Sequence, residues 1–287
     1  MDELAGKVAV ITGAGSGLGR ALAHRLGAAR MRLVLADIDE GKLNRVGGEL
    51  DDTGVAVVTR GVDVSKRGQV EGLADFAYEQ FGAVNVLCNN AGVAVVGPAW
   101  ECTDADWAWA IGVNLWGVVH GLRAFLPRML DAGEPGHVVN TASAAGILAP
   151  PLSSPYVATK HAVVGLTESL YHDLALRQSK IGCSVLAPGF VRTGIAGSEC
   201  ARPEELKNPV ASTDPLMAEV GKYYANEVAR GIPPETVAEA VHEAILEGRF
   251  YVFTHPEMTP AYEDRFSRLV AGTNPKTRPL ATSMDES

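Results

Sequence analysis

A regular alternation of short apolar runs with longer segments of helical period constrains the fold of this chain more than any other feature. The apolar runs predict seven strands: Val8 to Thr12, Arg32 to Ala36, Ala56 to Val62, Val84 to Asn89, His137 to Thr141, Cys183 to Ala187 and Phe250 to Phe253. Between them, helices are predicted over residues 17–29, 103–130 and 155–177. The runs are almost continuously apolar, which is typical of a parallel sheet covered by helices on both faces. The alternation therefore predicts an α/β fold with a doubly wound, seven-stranded parallel sheet.

The composition of the chain disfavours several classes of binding partner. The chain has 287 residues with 25 basic and 34 acidic side chains, and the formal net charge of −9 disfavours nucleic-acid binding. No stretch approaches the roughly 18 to 20 apolar residues of a membrane span, and the acidic start lacks the basic region of a secretory signal. The four cysteines are scattered without metal-ligand spacing. We therefore expect a cytoplasmic protein with no nucleic-acid, membrane or metal partner.

A glycine-rich turn joins the first predicted strand to the first predicted helix. It reads Thr12-Gly13-Ala14-Gly15-Ser16-Gly17-Leu18-Gly19. Glycines let the backbone approach a pyrophosphate, and the free N–H groups and dipole at a helix start favour its negative charge. The turn therefore predicts a dinucleotide-binding site formed by Gly13, Gly15, Ser16, Gly17, Leu18 and Gly19.

Acidic residues end the second and third predicted strands. Asp37 lies 18 residues beyond Gly19, where a carboxylate accepts hydrogen bonds from an adenosine ribose and repels a 2′-phosphate, so NAD is favoured over NADP. Ser16 and Ile38 offer no cation for such a phosphate. The alternative for Asp37 is that it only begins a turn. Asp63, followed by Val64, is placed to bind the adenine amino group, with a simple helix cap as the alternative.

Further motifs follow along the chain: Asn89-Asn90-Ala91-Gly92, Asn114, Ser143, the segment from Tyr156 to Lys160, and Pro188-Gly189. Together with the glycine-rich turn they resemble the short-chain dehydrogenase/reductase family of the compact, single-domain type. The resemblance covers about residues 5 to 254. Asn85, where the family often has Asp, and the tail beyond Phe253 depart from the pattern. The resemblance implies a Rossmann-like fold and an NAD-dependent reaction on a secondary alcohol or ketone, without a metal.

The resemblance also implies roles for particular residues. Ser143, Tyr156 and Lys160 are the expected catalytic groups, with Asn114 holding a water that connects Lys160 to solvent. Asn90 is expected to stiffen the turn after the fourth strand, and Thr193 to contact the nicotinamide carboxamide. The remaining expected cofactor contacts are Ala91, Gly92, Pro188, Gly189 and Val191. Family members are usually oligomers, so a homodimer or homotetramer is expected.

The spacing of Tyr156 and Lys160 supports this chemistry independently. Residues four apart on a helix project from one face. An ammonium group about 4 to 6 Å from a phenol typically lowers the pKa of the phenol by roughly 1 to 3 units. We therefore expect Lys160 to lower the pKa of Tyr156 and to make it a usable base. His161 points to a different face, so no catalytic role is expected for it.

The expected catalytic domain spans residues 1–254 and includes a substrate lid at 194–234, a stretch too long and irregular for an ordinary connection. Met217, Tyr223 and Tyr224 are expected to pack in this lid or to touch substrate. Residues 255–287 form an extension with a short helix over residues 262–270 and a disordered end. Val93 to Val96, Trp100 and residues 147–152 are expected to line an apolar pocket, or else to pack the lid against the core. A lined pocket would favour a hydrophobic or aromatic alcohol.

Two alternatives to the dehydrogenase remain at this point. An S-adenosylmethionine-dependent methyltransferase also has a glycine-rich first loop and an acidic second-strand end, but it has no use for Tyr156 and Lys160. A non-catalytic NAD-binding regulator would keep the fold, but it would be expected to lose part of the Ser, Tyr and Lys set.

Overall fold

The structure is a computed structural model that describes residue 1, residues 3–208 and residues 214–276. A parallel seven-stranded sheet in the order β3-β2-β1-β4-β5-β6-β7 forms its centre. The strands are β1 (Val8–Thr12), β2 (Arg32–Asp37), β3 (Val57–Gly61), β4 (Val86–Asn89), β5 (Gly136–Thr141), β6 (Ile181–Leu186) and β7 (Tyr251–Val252). In the register, Val10 pairs with Val34 on one side and with Leu87 on the other. The predicted α/β class, doubly wound sheet and number of strands are confirmed.

Helices connect the strands and cover both faces of the sheet. Those of the described residues are α1 (Gly17–Ala28), α2 (Glu40–Asp51), α3 (Arg67–Phe81), α4 (Asp104–Ala110), α5 (Gly117–Ala132), α6 (Ser154–Leu176), α7 (Pro215–Arg230), α8 (Pro234–Glu247) and α9 (Thr259–Ala271). The helix predicted over residues 103–130 consists of α4 and α5, joined by a π-helical segment, Ile111–Trp116. Its start is fixed by Thr103, whose side chain caps the backbone N–H of Asp106 while the Asp106 carboxylate accepts from the backbone N–H of Thr103.

The core consists of apolar clusters on the two faces of the sheet. On one face, Leu22 and Leu26 of α1 and Val241 of α8 pack against strand residues. On the other face, Leu73 of α3 and Phe125 of α5 do the same. Burying both faces leaves the carboxyl ends of the strands and the loops that follow them to form a binding crevice.

The region expected to be an irregular lid contains regular structure. Residues 194–234 include 3₁₀ turns at Ile195–Ala201 and Glu204–Leu206 and the 16-residue helix α7. Residues 209–213, which the expected lid also includes, lie outside the described residues. The expectation of irregularity was wrong because Asp214 and Pro215 form a helix start: the Asp214 carboxylate accepts from the backbone N–H of Leu216, and Pro215 occupies the first helical turn.

The residues after β7 pack against the rest of the fold. Helix α9 contains the predicted helix over residues 262–270. Tyr262 is buried in a cluster with Val163 of α6 and Val185 of β6. The predicted boundary at residue 254 therefore marks no gap in packing, and the end predicted to be disordered, residues 277–287, lies outside the described residues.

Two further features concern the described residues only. All four cysteines are free thiols. Within residues 1, 3–208 and 214–276, none of the helices combines the length and apolar character needed to cross a membrane, and no group of three or more His, Cys, Asp or Glu side chains is arranged to hold a metal ion.

Candidate active site

A cavity of about 1430 Å³ opens at the carboxyl ends of the strands. It extends from the glycine-rich turn and Asp37 to Tyr156 and the lid residues Tyr223 and Tyr224. Of the predicted site residues, the following line it: Gly13, Ser16, Gly17, Leu18, Gly19, Asp37, Asp63, Val64, Asn90, Ala91, Gly92, Ser143, Tyr156, Lys160, Pro188, Gly189, Val191 and Thr193. Gly15 and Asn114 do not line it, and each instead supports a neighbour.

The glycine-rich turn brings the start of α1 to the cavity. Gly13 and Gly17 have φ of 66° and 50°, which favours glycine. A Cβ at Gly19 would overlap the carbonyl oxygen of Gly13. Ser16, the N-cap of α1, makes no side-chain cap hydrogen bond. The N–H groups and positive dipole of this helix start therefore face the cavity without a protein side chain to cap them, which suits a phosphate.

Asp37 holds the turn as well as facing the cavity. One carboxylate oxygen accepts from the N–H of Gly15 at 2.8 Å and the other from the N–H of Asp39 at 2.9 Å. Both the predicted binding role and the alternative turn-forming role are therefore compatible with its position. The prediction missed Lys42, which also lines the cavity and pairs with Asp39 at 2.9 Å. The hydrogen bonds from Lys42 lower the pKa of the Asp39 carboxyl.

Asp63 is engaged in a local turn at the cavity wall. One carboxylate oxygen accepts from the backbone N–H of Ser65 at 2.9 Å and from the Ser65 hydroxyl at 2.7 Å. Asp63 does not cap α3, whose N-cap is Lys66. These hydrogen bonds occupy only one of the two carboxylate oxygens of Asp63. Val64 lines the cavity beside it.

Asn90 cross-links the ends of β1, β4 and β5. Its side-chain amide donates to the carbonyl of Thr12 at 3.0 Å, and its backbone N–H donates to the Thr12 hydroxyl at 3.0 Å. Its side-chain oxygen accepts from the Thr141 hydroxyl at 3.5 Å. These bonds support the expected stiffening role, because they fix the turn after β4 against the glycine-rich turn.

Asn114 lies in the π-helical segment and is fully buried. Its side-chain oxygen accepts from the N–H of Val93 at 2.8 Å, and its amide donates to the Val93 carbonyl at 3.0 Å and to the Thr159 hydroxyl at 3.2 Å. A Cβ at Gly92 would lie 3.4 Å from the Asn114 oxygen and 3.5 Å from Lys160 Nζ. Asn114 thus fixes the backbone of Val93, which forms the cavity wall near Lys160, without lining the cavity itself.

Ser143, Tyr156 and Lys160 meet at the cavity wall. Ser143 follows β5, and its hydroxyl accepts from the N–H of Ala145 at 3.1 Å. Tyr156 and Lys160 lie on α6, and Lys160 Nζ is 5.6 Å from the centroid of the Tyr156 ring. Lys160 Nζ donates to the carbonyl of Thr141 at 2.8 Å. The predicted juxtaposition of the three side chains is present.

The electrostatic expectation for Tyr156 is not met. Burial raises the pKa of the phenol above its ordinary value, and hydrogen bonding with Ser143 acts in the opposite direction without cancelling it. Burial also lowers the pKa of Lys160 to about 8. Spacing on a helix could not reveal that both groups lose hydration, which disfavours the charged form of each. Burial therefore favours the neutral phenol of Tyr156 over the phenolate.

The turn after β6 lies against both the serine and the glycine-rich turn. The Pro188 carbonyl accepts from the N–H of Ala144 at 2.7 Å. The N–H of Gly189 donates to Nδ1 of His255 at 3.0 Å, a contact that the sequence did not indicate. A Cβ at Gly17 would lie 2.9 Å from Cβ of Thr193, so the segment after β6 packs closely on the start of α1.

The far part of the cavity is mainly apolar. Its wall includes Val93, Val95, Trp109 and Leu148. Tyr223 and Tyr224 line it too, whereas Met217 does not. Trp100 was wrongly expected here: it is 83% exposed, and its indole N–H donates to the Glu101 carboxylate. It follows Pro98 in the turn just before α4, and an apolar residue in a surface turn carries no signal of which way it points.

A buried ion pair that the sequence did not predict joins α4 to the lid. Arg202 pairs with Asp106 and, at 2.9 Å, with Glu199, and its guanidinium lies 4.8 Å from the centroid of a Trp109 ring. The Arg202 side chain is 2% exposed. Burial raises the pKa of the Asp106 carboxyl, but hydrogen bonds from Arg202, Thr103 and Asn208 outweigh it and lower that pKa. Only the capping position of Asp106 was visible in the sequence.

Comparisons with known proteins agree with this geometry. A family model described as short chain dehydrogenase matches residues 7–203. The CLA biosynthesis dehydrogenase/reductase of Lactiplantibacillus plantarum is 35% identical over 280 residues, which cover 96% of this chain and 97% of that protein. This chain is similar to both.

Solved structures agree as well. A short chain dehydrogenase/reductase from Burkholderia phymatum in complex with NAD superposes with a TM-score of 0.95 at 48% identity, over 97% of this chain and 99% of that one. An alcohol dehydrogenase from Thermococcus sibiricus complexed with 5-hydroxy-NADP gives a TM-score of 0.69 at 28% identity, over 86% and 95%.

The cavity fits the nicotinamide cofactor that this family uses. The uncapped helix start can hold the pyrophosphate, and Asp37, Tyr156 and the Pro188-Gly189 turn line the same cavity. A helix start without a side-chain cap is what a bound anion would complete. The glycine-rich turn, the assembled Ser, Tyr and Lys set and the match to the family model together show that this chain belongs to the short-chain dehydrogenase/reductase family of oxidoreductases.

Proposed function

We propose that the protein is an NAD-dependent oxidoreductase that interconverts a secondary alcohol and a ketone by hydride transfer. The observation that carries the proposal is the meeting of Ser143, Tyr156 and Lys160 on one wall of a cavity that also contains an uncapped helix start. A site with these parts can bind a dinucleotide and can move a proton next to it.

The residues divide the chemistry between them. When bound, the nicotinamide ring would accept or supply the hydride. During oxidation the phenolate form of Tyr156 takes the hydroxyl proton of the alcohol, and during reduction the phenol form gives its proton to the ketone oxygen. The Ser143 hydroxyl donates a hydrogen bond to that oxygen. Burial raises the pKa of Tyr156, which favours the phenol form that donates a proton in the direction of ketone reduction. The Lys160 ammonium favours the phenolate when it forms.

Asp37 supports NAD over NADP as the cofactor. A carboxylate at the ribose site accepts hydrogen bonds from the diol and repels a 2′-phosphate. Lys42 also lines the cavity, and its pairing with Asp39 offsets its charge. The NAD complex of the Burkholderia relative agrees with this proposal, and the NADP-type complex of the Thermococcus relative makes a direct comparison of the two cofactors necessary.

The apolar part of the cavity supports a hydrophobic or aromatic substrate. Phe190, Tyr223 and Tyr224 lie close together there, with ring centroids 6.1 Å apart for Phe190 and Tyr224 and 5.7 Å for Tyr223 and Tyr224. Such a surface gains free energy by covering apolar area and gives a sugar few hydrogen-bonding partners. A panel of secondary alcohols in which only polyols react would contradict this part of the proposal.

The deciding experiment replaces Tyr156 by Phe. NAD binding, followed by calorimetry, is expected to be nearly unchanged, while alcohol-dependent reduction of NAD falls by about 10² to 10⁴, because the proton acceptor is gone. Tyr171→Phe is the matched control: Tyr171 lies on the same helix, is 47% exposed and is absent from the cavity wall. Near-normal turnover by Tyr156→Phe would rule the mechanism out.

The alternatives make different predictions. A non-catalytic regulator would bind NAD tightly and reduce it with no alcohol in the panel. A methyltransferase is not supported, because the chain belongs to an oxidoreductase family. Labelled S-adenosylmethionine would remain unbound.

We also propose that the protein is a homodimer or homotetramer. Among the described residues, the edge strand β7 pairs on one side only, and the half-exposed aromatic residues Tyr251, on β7, and Phe253, just after it, lie at this edge. Unpaired edges with exposed apolar side chains favour association with a second copy. Sedimentation velocity would show a single monomeric species if this proposal were wrong.

A further inference from the structure

We propose that His255 is a positioning residue of the active site, and that it does this by fixing the turn formed by Pro188, Gly189 and Phe190. This inference rests on the proposed function, since that turn is where the nicotinamide would lie. It assigns a role to the segment after β7, where the sequence departs from the family pattern.

The two ring nitrogens of His255 hold the backbone of consecutive residues. Nδ1 accepts from the N–H of Gly189 at 3.0 Å, and Nε2 is 3.0 Å from the carbonyl oxygen of Phe190. The Thr254 hydroxyl lies 2.9 Å from the same Nδ1. Since a backbone N–H only donates and a carbonyl only accepts, Nδ1 carries no proton and Nε2 carries one. His255 therefore acts as a neutral imidazole with one fixed tautomer.

Side chains also pack closely around the turn of Pro188, Gly189 and Phe190. His255 is 7% exposed. A Cβ at Gly189 would lie 2.8 Å from the imidazole ring and 2.9 Å from the Met258 sulfur. Met258 also lines the cavity. The segment after β7 thus contributes one residue that holds the turn and one that forms the wall beside it.

The turn that His255 holds also contacts Ser143, the proposed catalytic serine. The Pro188 carbonyl accepts from the N–H of Ala144 at 2.7 Å and lies 3.5 Å from the Ser143 hydroxyl. A shift of the turn would therefore change both the surface on which the nicotinamide lies and the direction of the Ser143 hydroxyl. Orientation errors of about 1 Å cost reaction rate steeply.

The test separates the two hydrogen bonds. His255→Asn places an amide oxygen near the position of Nδ1, so it keeps an acceptor for Gly189 and loses the donor to Phe190. His255→Gln does the reverse, and His255→Leu removes both. We expect His255→Leu to weaken NAD binding about tenfold or more and to lower kcat, and His255→Asn to recover most of the NAD affinity. His172→Leu, the same substitution at an exposed position on α6, is the control.

The readouts are the calorimetric Kd for NAD, the KM for NAD and kcat, with the melting temperature measured in parallel. A purely structural role would lower the melting temperature of all three variants and leave the Kd of the folded protein unchanged. That result would overturn the proposal, as would equal NAD affinities for the Asn and Gln variants. If His255→Leu does not fold, the Asn and Gln variants still decide. If no alcohol is oxidised by the unmodified protein, the proposed function fails, and the Kd values still test His255 by themselves.

Discussion

At position 37 one carboxylate serves two purposes. It ties the glycine-rich turn to β2 through the N–H of Gly15 and accepts from the N–H of Asp39 in the turn after β2, and it presents negative charge to the cavity. Its oxygens are already hydrogen-bonded, so a bound ribose would use their remaining lone pairs. Removing the carboxylate should therefore affect the shape of the phosphate site as well as the choice of cofactor. The ratio of the two cofactor affinities isolates the second effect.

We expect Asp37→Ser to lower the NAD to NADP ratio of kcat/KM by about 10- to 100-fold. The physical reason is that a hydrogen bond to a charged group contributes roughly 1.5 to 3 kcal/mol and the repulsion of a 2′-phosphate disappears. Parallel assays with both cofactors measure the ratio. In the double variant Asp37→Ser with Lys42→Met, NADP use should fall again. An unchanged ratio in Asp37→Ser would show that Asp37 only forms the turn.

Residue types and spacing predicted which side chains meet at the site but not their protonation. Tyr156 and Lys160 share a helix face as expected, because four-residue spacing determines this. Their pKa values depend on how completely the two side chains are buried in the folded protein and, for Tyr156, on the hydrogen bond with Ser143. Neither is visible in the local sequence. His255 was missed for a similar reason: its partners are 65 and 66 residues away in the chain.

Among the elements, the lid is held to the body of the fold by charge. Arg202, at the end of the 3₁₀ turn of the lid, forms a salt bridge with Asp106 near the start of α4. Its guanidinium also packs on the ring of Trp109. Breaking a buried pair by removing one partner leaves an uncompensated charge. Asp106 would keep its hydrogen bonds from Thr103 and Asn208, which moderates the loss.

We expect Arg202→Met to lower the free energy of unfolding by about 3 kcal/mol and to raise the KM for substrate more than the KM for NAD. The pair lies at the apolar end of the cavity, which explains the second effect. Urea denaturation and initial-rate kinetics measure the two. Lys207→Met, which removes a cation paired with Glu204 on the surface, should change stability by less than about 1 kcal/mol. Equal effects of the two substitutions would contradict this role of Arg202.

The seven strands and the long helices were predictable, since buried parallel strands are apolar throughout and helices show their period. Helix α7 was not predicted. Its buried side chains are only Val220 and Val228, so most of its sequence is polar or charged and gives little sign of a helix packed on a core. The ends of β7 were also misjudged: as an edge strand it pairs only with β6, over two residues.

The molecule as a whole contains a buried histidine that should make its stability depend on acid. His137 on β5 is 2% exposed, and its Nε2 lies 2.7 Å from the Ser184 hydroxyl, which donates to the carbonyl of Arg249. Burial lowers the pKa of His137 to about 4. His137 therefore stays neutral in the folded protein at pH values where it is protonated in the unfolded chain, in which its pKa is about 6.5.

We expect the free energy of unfolding to fall by roughly 3 kcal/mol from this group as the pH drops from about 6.5 to about 4. In that window the unfolded chain binds more protons, so acid favours unfolding, and below pH 4 the contribution of this group levels off. Urea denaturation at a series of pH values measures the slope. His137→Gln should flatten it within this window, and a slope that is unchanged in this variant would assign the acid sensitivity to other groups.

The π-helical segment between α4 and α5 has a consequence for how this protein can change in length. A π turn accommodates about one residue more than an α turn, and each residue of an α-helix accounts for a rotation of about 100°. Deleting a single residue from Ile111–Trp116 would therefore give a regular α-helix in which α4 and α5 keep their orientations. It would displace the Asn114 side chain, which lies in this segment and bonds Val93 and Thr159. Related proteins that are one residue shorter here would therefore be expected to support the wall beside Lys160 in a different way on an otherwise identical scaffold.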